Sequence, residues 1–368
     1  MELVISFQLK NRVIRDKEIK GVHVNDIFEN RIVENGKTRV PVWFMRQAGR
    51  YHDHYQNLKK SYDFMTLCKE PKLACEVTMG PIEEFDFDAA ILFSDLLFPL
   101  EQLGMDLVYN PGPKLGSKLE TLADLKKLKQ KPDQDFFKFQ ADACTLLKDA
   151  LPKTKTLLGF VGAPFTLYAY AVEGAHAGAL LSSKKGLYDG RFEGYTELLL
   201  PNVLHEMKIQ AEGGADAICI FDTAVGELTV KDFERIALPK IKYLTSEFKK
   251  SYPDKKIIYY SKNTHVNHLR CIQDDNIDVL GVDWRHNLGE VLNEFSKDYY
   301  IQGNFDPCWL HLEWNQVESH LKEFHQELQD ANVDFSKWIC GLGHGVLQHT
   351  PQENVRKTIE YIHKNFIY

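Results

Sequence analysis

No run of about 18 apolar residues occurs anywhere in the chain, so the sequence offers no membrane span. Positive charge is not in excess either. There are 45 Lys and Arg against 52 Asp and Glu, a net charge of −7, which argues against a general polyanion-binding surface. An anionic ligand must therefore be met by a local cluster of cations. Paired cysteine motifs are missing. The seven cysteines (Cys68, Cys75, Cys144, Cys219, Cys271, Cys308 and Cys340) are odd in number and form no CxxC, which fits free, mostly buried thiols in a reducing compartment. The opening stretch MELVISFQLKNRVIRDKEIK meets charged residues too early for a signal peptide, and its acids disfavour a transit peptide. The expectation is a cytoplasmic protein. A P-loop, a Ser nucleophile elbow and an HExxH are also absent, which removes three common routes to catalysis.

What is present is a rhythm. The composition, 44% hydrophobic and 26% charged over 368 residues, suits a globular chain with a large core, and no low-complexity linker or repeat divides it. Short runs rich in β-branched and aromatic residues recur at 40–45, 89–93, 156–161, 217–221, 256–261, 279–284, 299–303 and 338–341. Most are apolar on both faces, as parallel strands covered by helices are. Helical patterns lie between them: Phe136, Phe139, Ala143 and Leu146 share one face, as do Val317, Leu321, Phe324 and Leu328. Thr350-Pro351-Gln352-Glu353 predicts a last helix with Thr350 at the N-cap, Pro351 at the first position and Glu353 closing a capping box. Its buried stripe would be Val355, Ile359, Ile362 and Phe366. Eight strands alternating with helices predict a single (β/α)₈ TIM barrel over residues 25–368. An open doubly wound sheet is disfavoured because no GxGxxG follows the first strand. Residues 1–24 precede the pattern and read as a loosely held N-terminal arm.

In such a barrel, chemistry sits past the C-terminal ends of the strands. The first strand is followed by Arg46 and Arg50, spaced to share a helical face, with Lys59 further on. Asp95 follows the second strand inside an apolar run. Tyr170 lies after the third, Thr223 after the fourth, and Gly341-Leu342-Gly343-His344-Gly345 after the eighth. Each has a plainer reading: surface or ion-paired arginines, a helix-capping Asp or Thr, a core tyrosine with a tethered hydroxyl, a tight turn. Their convergence on one mouth favours a site. His265, His268 and Cys271 follow helical spacing, but nothing nearby completes a zinc shell, so no metal is expected. Asp274-Asp275 reads as a solvated loop.

These motifs are similar to those of a known family. Pro41-Val42-Trp43-Phe44-Met45-Arg46-Gln47-Ala48-Gly49-Arg50-Tyr51 resembles the N-terminal signature of uroporphyrinogen decarboxylases at almost every position. Gly159-Phe160-Val161-Gly162-Ala163-Pro164-Phe165-Thr166-Leu167 resembles their second signature. The stretches from Ile91 to Leu97, Gly303 to Pro307 and Gly343 to Gly345 are similar as well, so the likeness runs from about Asn25 to the C-terminus. The resemblance implies a (β/α)₈ barrel, a homodimer, no cofactor, and conversion of uroporphyrinogen III to coproporphyrinogen III in haem biosynthesis. It carries substrate and catalytic roles onto Arg46, Arg50, Asp95, Tyr170, Thr223 and His344. Lys59 stands where the family often has another Arg, and Cys340-Gly341 where an apolar residue and Asn are more usual.

Chemistry agrees with the implied roles. The substrate bears four acetates and four propionates, which would explain cations gathered in an acidic protein. A pyrrole protonated on the ring carbon bearing the acetate would supply its own electron sink, so neither pyridoxal phosphate nor thiamine is needed. Asp95 is expected to face the pyrrole N–H groups and oppose the developing positive charge. Arg46 would guide the reacting carboxylate. Arg50, Lys59 and His344 would hold others, and Tyr170 and Thr223 would orient the ligand. Two alternatives differ in kind. A related barrel family comprises zinc-dependent methyltransferases with a His-x-Cys pair, which this chain lacks. A catalytically dead tetrapyrrole carrier is disfavoured by the presence of Arg46, Arg50 and Asp95.

Overall fold

The computed structural model describes residues 27–28, 32–34, 37–110 and 112–368; the expected N-terminal arm at 1–24 lies outside them. Seven strands form one parallel sheet in sequence order: β1 (Ala89–Ile91), β2 (Thr156–Gly162), β3 (Ala217–Asp222), β4 (Lys256–Ser261), β5 (Val279–Gly281), β6 (Tyr300–Phe305) and β7 (Trp338–Leu342). The eighth stave is the surprise. Residues 40–45, expected as the first strand, make a single parallel bridge between Val42 and Cys340. Cys340 N–H donates to Pro41 O at 2.8 Å, and Trp43 N–H to Cys340 O at 3.2 Å. On the other flank Asp88 N–H donates to Val42 O at 2.9 Å, and side chains replace the rest of the ladder. Asp88 Oδ2 accepts from Val42 N–H at 2.8 Å. The Gln47 amide spans Ala89 O and Ile91 N–H, each at 3.0 Å, as a neighbouring strand's backbone would. This closes the barrel, the predicted fold.

The buried Asp88 is affordable because Arg39 forks onto it at 2.7 and 2.8 Å. With this fork and His363 beside it, its carboxyl stays well below the usual range although burial pushes the other way.

Strand alternation separates two cores. Trp43, Ala89, Leu158, Ala217, Cys219, Ile258, Val279 and Ile339 fill the barrel interior. Val42, Leu157, Ile218, Ile257, Leu280, Ile301 and Cys340 point outward, into the layer shared with the helices. Those helices are α1 (Pro71–Phe85), α2 (Lys138–Ala150), α3 (Pro164–Glu173), α4 (Arg191–Glu212), α5 (Leu238–Ser251), α6 (Val266–Cys271), α7 (Leu288–Phe295), α8 (Trp314–Asp330) and α9 (Gln352–Asn365). All seven cysteines are free. No helix among the described residues is long and apolar enough to cross a membrane.

Some local expectations need correction. Phe136 precedes α2, whose buried stripe is Gln140, Ala143, Cys144 and Leu147. Thr350 does not cap α9; its hydroxyl bonds His311 Nε2 at 3.0 Å and Leu347 O at 2.9 Å, and Pro351 takes the cap position. Phe366 follows α9 rather than belonging to it, though it is fully buried. Asp274 is buried rather than solvated: Thr245 donates to it at 2.6 Å and Asn276 N–H at 3.0 Å, which ties the turn before β5 to α5.

Candidate active site

At the C-terminal mouth of the barrel lies a cavity of about 590 Å³, within the range of small-molecule sites. Its floor is the top of the barrel interior: Met45, Ile91, Phe160, Phe221 and Tyr260. Alternation that packs the core below thus paves the site above. All seven residues expected from sequence (Arg46, Arg50, Lys59, Asp95, Tyr170, Thr223 and His344) line its walls.

Arg46 and Arg50 do not share a helix. Residues 46–51 are turns and bends, and Arg46 takes φ 57°, in the left-handed region that non-glycine residues rarely adopt. The turn sets its side chain at the mouth, where it lines the cavity. Two features hold it there. Val346 N–H donates to Met45 O at 2.9 Å, drawing the loop after β7 against this turn. Gly345 lies under the Arg46 stem, where a Cβ would fall 2.5 Å from Cδ and 2.6 Å from Cγ. Burial lowers the Arg46 pKa and Arg50 adds to the effect, while Tyr170 and Asp95 oppose it.

Asp95 sits in the loop after β1. The capping reading is half right: Oδ1 accepts from Leu97 N–H at 2.8 Å, closing a local turn. The Tyr109 hydroxyl is drawn to the same carboxylate, and the side chain borders the cavity. Burial pushes its carboxyl above the usual range, against the pull of Tyr109, Leu97 N–H and Arg46. Burial and the adjacent Asp95 carboxylate push the Tyr109 hydroxyl pKa well up.

His344 Nδ1 accepts from Gly345 N–H at 2.6 Å, which leaves Nε2 as the donor. Burial, with Arg46, Lys262 and His176 near, pushes its pKa down to about 3. At neutral pH it is a neutral hydrogen-bond donor and not a cation. The Tyr170 hydroxyl pairs with His176 Nδ1, and burial pushes its own pKa up to about 12. Thr223 caps no helix, and its hydroxyl has no partner among the described residues. Arg50 and Lys59 are exposed at the outer wall, with Lys59 Nζ 5.9 Å from the Tyr55 ring centroid.

Sequence reasoning missed Tyr109, Tyr260, Lys262 and His176. Tyr109 belongs to a hairpin of Leu107–Tyr109 and Pro113–Leu115, outside the strand-end rule. Tyr260 looks like any apolar strand residue; its hydroxyl donates to Gly343 O at 2.7 Å and steadies the loop carrying His344. Lys262 directly follows β4 and could have been found by that rule. Two further acids, Asp222 and Glu173, are structural. Asp222 is wholly buried between Thr166 and Tyr259, and Glu173 accepts from Ser183.

The His265, His268 and Cys271 trio is absorbed by α6. His265 caps the helix, His268 Nε2 bonds Leu228 O, and Cys271 Sγ bonds Asn267 O. Among the described residues no three His, Cys, Asp or Glu side chains are grouped to hold a metal ion.

Comparison with known proteins converges on one family. The model of the family described as uroporphyrinogen decarboxylase (URO-D) matches residues 25–365. A uroporphyrinogen decarboxylase of Chlorobaculum parvum is 34% identical over 348 residues, 92% of this chain and 97% of that protein. One from Geobacter sulfurreducens is 35% identical over 329 residues, 89% and 94% of the two chains. Among solved structures, a methyltransferase from Methanosarcina mazei superposes with a TM-score of 0.72 over 92% of this chain and 96% of that one. At 15% identity that likeness speaks for the barrel alone. The match over nearly the whole length, joined to a barrel mouth carrying the signature arginines, places this chain in the uroporphyrinogen decarboxylase family.

Proposed function

We propose that the cavity binds uroporphyrinogen III and removes CO₂ from its four acetates, giving coproporphyrinogen III for haem synthesis without metal or organic cofactor. One observation carries this reading. The cavity is lined by a single carboxylate, Asp95, and by the cations Arg46, Arg50 and Lys59. Such a site suits a ligand with a ring of N–H donors at its centre and carboxylates around it.

The chemistry follows from conjugation. The departing electron pair must flow through the ring, so the proton has to enter at the ring carbon next to the one bearing the acetate. Protonation at the acetate-bearing carbon itself, the expectation from the sequence, would leave the new carbanion unconjugated, which overturns that expectation. Loss of CO₂ then gives an exocyclic methylene. A proton added there, with loss of the ring proton, yields the methyl group. Each round consumes one proton and releases one CO₂.

In this scheme Asp95 Oδ2 accepts the pyrrole N–H groups and opposes the ring cation. Its depth in the wall makes that charge effective, since little water screens it. Arg46 pairs with the reacting carboxylate. Arg50 and Lys59 hold peripheral ones, Arg50 as a fork and Lys59 as a point charge. His344 Nε2–H donates to another, and Tyr170 and Thr223 supply hydroxyls. The protein acts as a homodimer in the cytoplasm. Val108, Leu122, Leu181 and Tyr188, exposed apolar residues on connections that leave the C-terminal ends of β1 and β2, support an interface near the mouth.

The deciding experiment is anaerobic incubation with uroporphyrinogen III, followed by chromatography of the oxidised products. Intermediates with seven, six and five carboxyls, then four, are expected. Unchanged substrate would refute the reading.

A further inference from the structure

His176 sits on the loop after α3, outside every motif that pointed to the site. Gly174 closes α3 at φ 76° and Gly178 turns the chain again at φ 97°, so the loop folds back over the mouth. His176 is half-buried between exposed Ala175 and Ala177. Its Nδ1 is hydrogen-bonded to the Tyr170 hydroxyl, and the two rings lie 4.9 Å apart at 41°. Tyr170 itself lines the cavity. A phenol has one proton. If that proton goes to His176, the cavity sees only lone pairs; if His176 donates instead, the phenol proton is released toward the ligand.

We propose that His176 is a positioning residue for Tyr170, whose hydrogen bond aims the phenol so that the cavity meets an acceptor, and whose protonation reverses that direction. The surroundings support this assignment. Burial lowers the His176 pKa, and the cations facing it add to the effect: Lys262 from the end of β4 and Arg46 from the turn after residue 45. His344, after β7, faces the same group and is itself neutral over the working range. On its own segment, the nearest acid, Glu173, is engaged by Ser183 N–H at 2.9 Å. At neutral pH His176 is therefore neutral and can only accept at Nδ1 when the phenol donates. The Tyr170 oxygen then joins Asp95 Oδ2 as an acceptor for ligand N–H groups. On acidification His176 takes a proton, Nδ1 becomes a donor, and Tyr170 turns its O–H toward ligand groups that are themselves donors.

The inference rests on the decarboxylase reading for its consequences, but the pair can be tested without substrate. In wild-type protein labelled with ¹⁵N-histidine, the His176 Nδ1 resonance, assigned with His176→Gln, should be that of a hydrogen-bonded acceptor and should titrate below pH 6.5, the usual histidine value. In Tyr170→Phe it should move downfield as its donor is lost. An Nδ1–H tautomer, or no change in Tyr170→Phe, overturns the proposal. In turnover, His176→Phe keeps a ring but no acceptor, and should lower kcat/KM at pH 7 by roughly five- to tenfold, about the value of one hydrogen bond. It should also lose one acid-side ionisation from the kcat/KM profile. His176→Asn, which can accept without titrating, should recover most of the neutral-pH rate and still lack that ionisation. The double variant Tyr170→Phe, His176→Phe should be no worse than Tyr170→Phe alone. Additive losses, or a His176→Phe profile equal to wild type, refute the positioning role. A wild-type enzyme that shows the pair by resonance but no turnover refutes the assigned reaction instead.

Discussion

Replacing Asp95 with Asn separates the two jobs of that carboxylate. Oδ1 closes a turn by accepting from Leu97 N–H at 2.8 Å, and an Asn carbonyl can do the same. The loop and the thermal midpoint should therefore survive. The second oxygen becomes an NH₂, so the cavity gains a donor where a ring of N–H groups needs an acceptor, and a negative charge disappears. The charge dominates the magnitude. At about 4 Å and an effective dielectric near 20, opposing a ring cation is worth about 4 kcal/mol. The measured value of lost oxyanion-hole contacts is of similar size, about 3–4 kcal/mol, or roughly 10²–10³ in rate. The expected result is a kcat lowered by roughly 10²–10³, with product binding weakened only modestly. Asp95→Glu, which keeps the charge but moves it by a methylene, should retain more activity than Asn. The pH profile gives a second check. Burial raises the Asp95 pKa above its ordinary 3.8, so the ionised, active form is lost as pH falls through that raised value. An acid limb of this origin should be present in wild type and missing in Asn. The assay is anaerobic turnover with product chromatography, with thermal melting to confirm the fold. An Asn variant as active as wild type would mean that Asp95 only closes the turn and that the cation is stabilised elsewhere.

Arg50→Lys should raise KM by roughly five- to tenfold with kcat nearly intact, because a fork onto a carboxylate becomes a point charge; unchanged steady-state constants would remove Arg50 from the site. Asp222 should govern part of the pH dependence of stability. Burial raises its pKa from 3.8 to about 6, a raised carboxyl, so its contribution is fully present below the unfolded value and is lost as pH rises through about 6. Two units correspond to about 3 kcal/mol. Asp222→Asn keeps contact with Thr166 and Tyr259 and should flatten the change in urea midpoint between about pH 4 and pH 7; parallel profiles would count against this origin. Exhaustive dialysis against a chelator should leave decarboxylation intact, and loss restored by a metal would contradict cofactor independence. Light scattering at micromolar concentration should give about twice the chain mass of 42.5 kDa, and a monomer mass would contradict the dimer.

How much of this was legible in the sequence follows from the range of each interaction. Continuous apolar runs and flanking turn residues are local, so the β3 and β4 strands fell within one residue of their expected bounds. The strand-end rule then pointed to Arg46, Arg50, Asp95, Tyr170, Thr223 and His344, because a parallel barrel sends every such end to one mouth. Lys59, beyond a strand end, was legible through its place after the first signature. Where a side chain stands in for backbone, local pattern fails. Residues 40–45 look like a strand, yet Asp88 and the Gln47 amide do the pairing that strand neighbours would do. The capping pattern at Thr350 was overridden because His311, 39 residues away, offered its hydroxyl a partner. Asp274 looked solvated because nothing in its own segment shows Thr245, on α5, which buries it. The sequence by itself determined the barrel, the family and the chemical types at its mouth. Only the tertiary structure decided which way those groups face. The left-handed turn that aims Arg46, the cavity-lining carboxylate of Asp95, the neutral His344 and the His176 behind Tyr170 all depend on burial and on partners distant in the chain, and both exist only once the strands have closed.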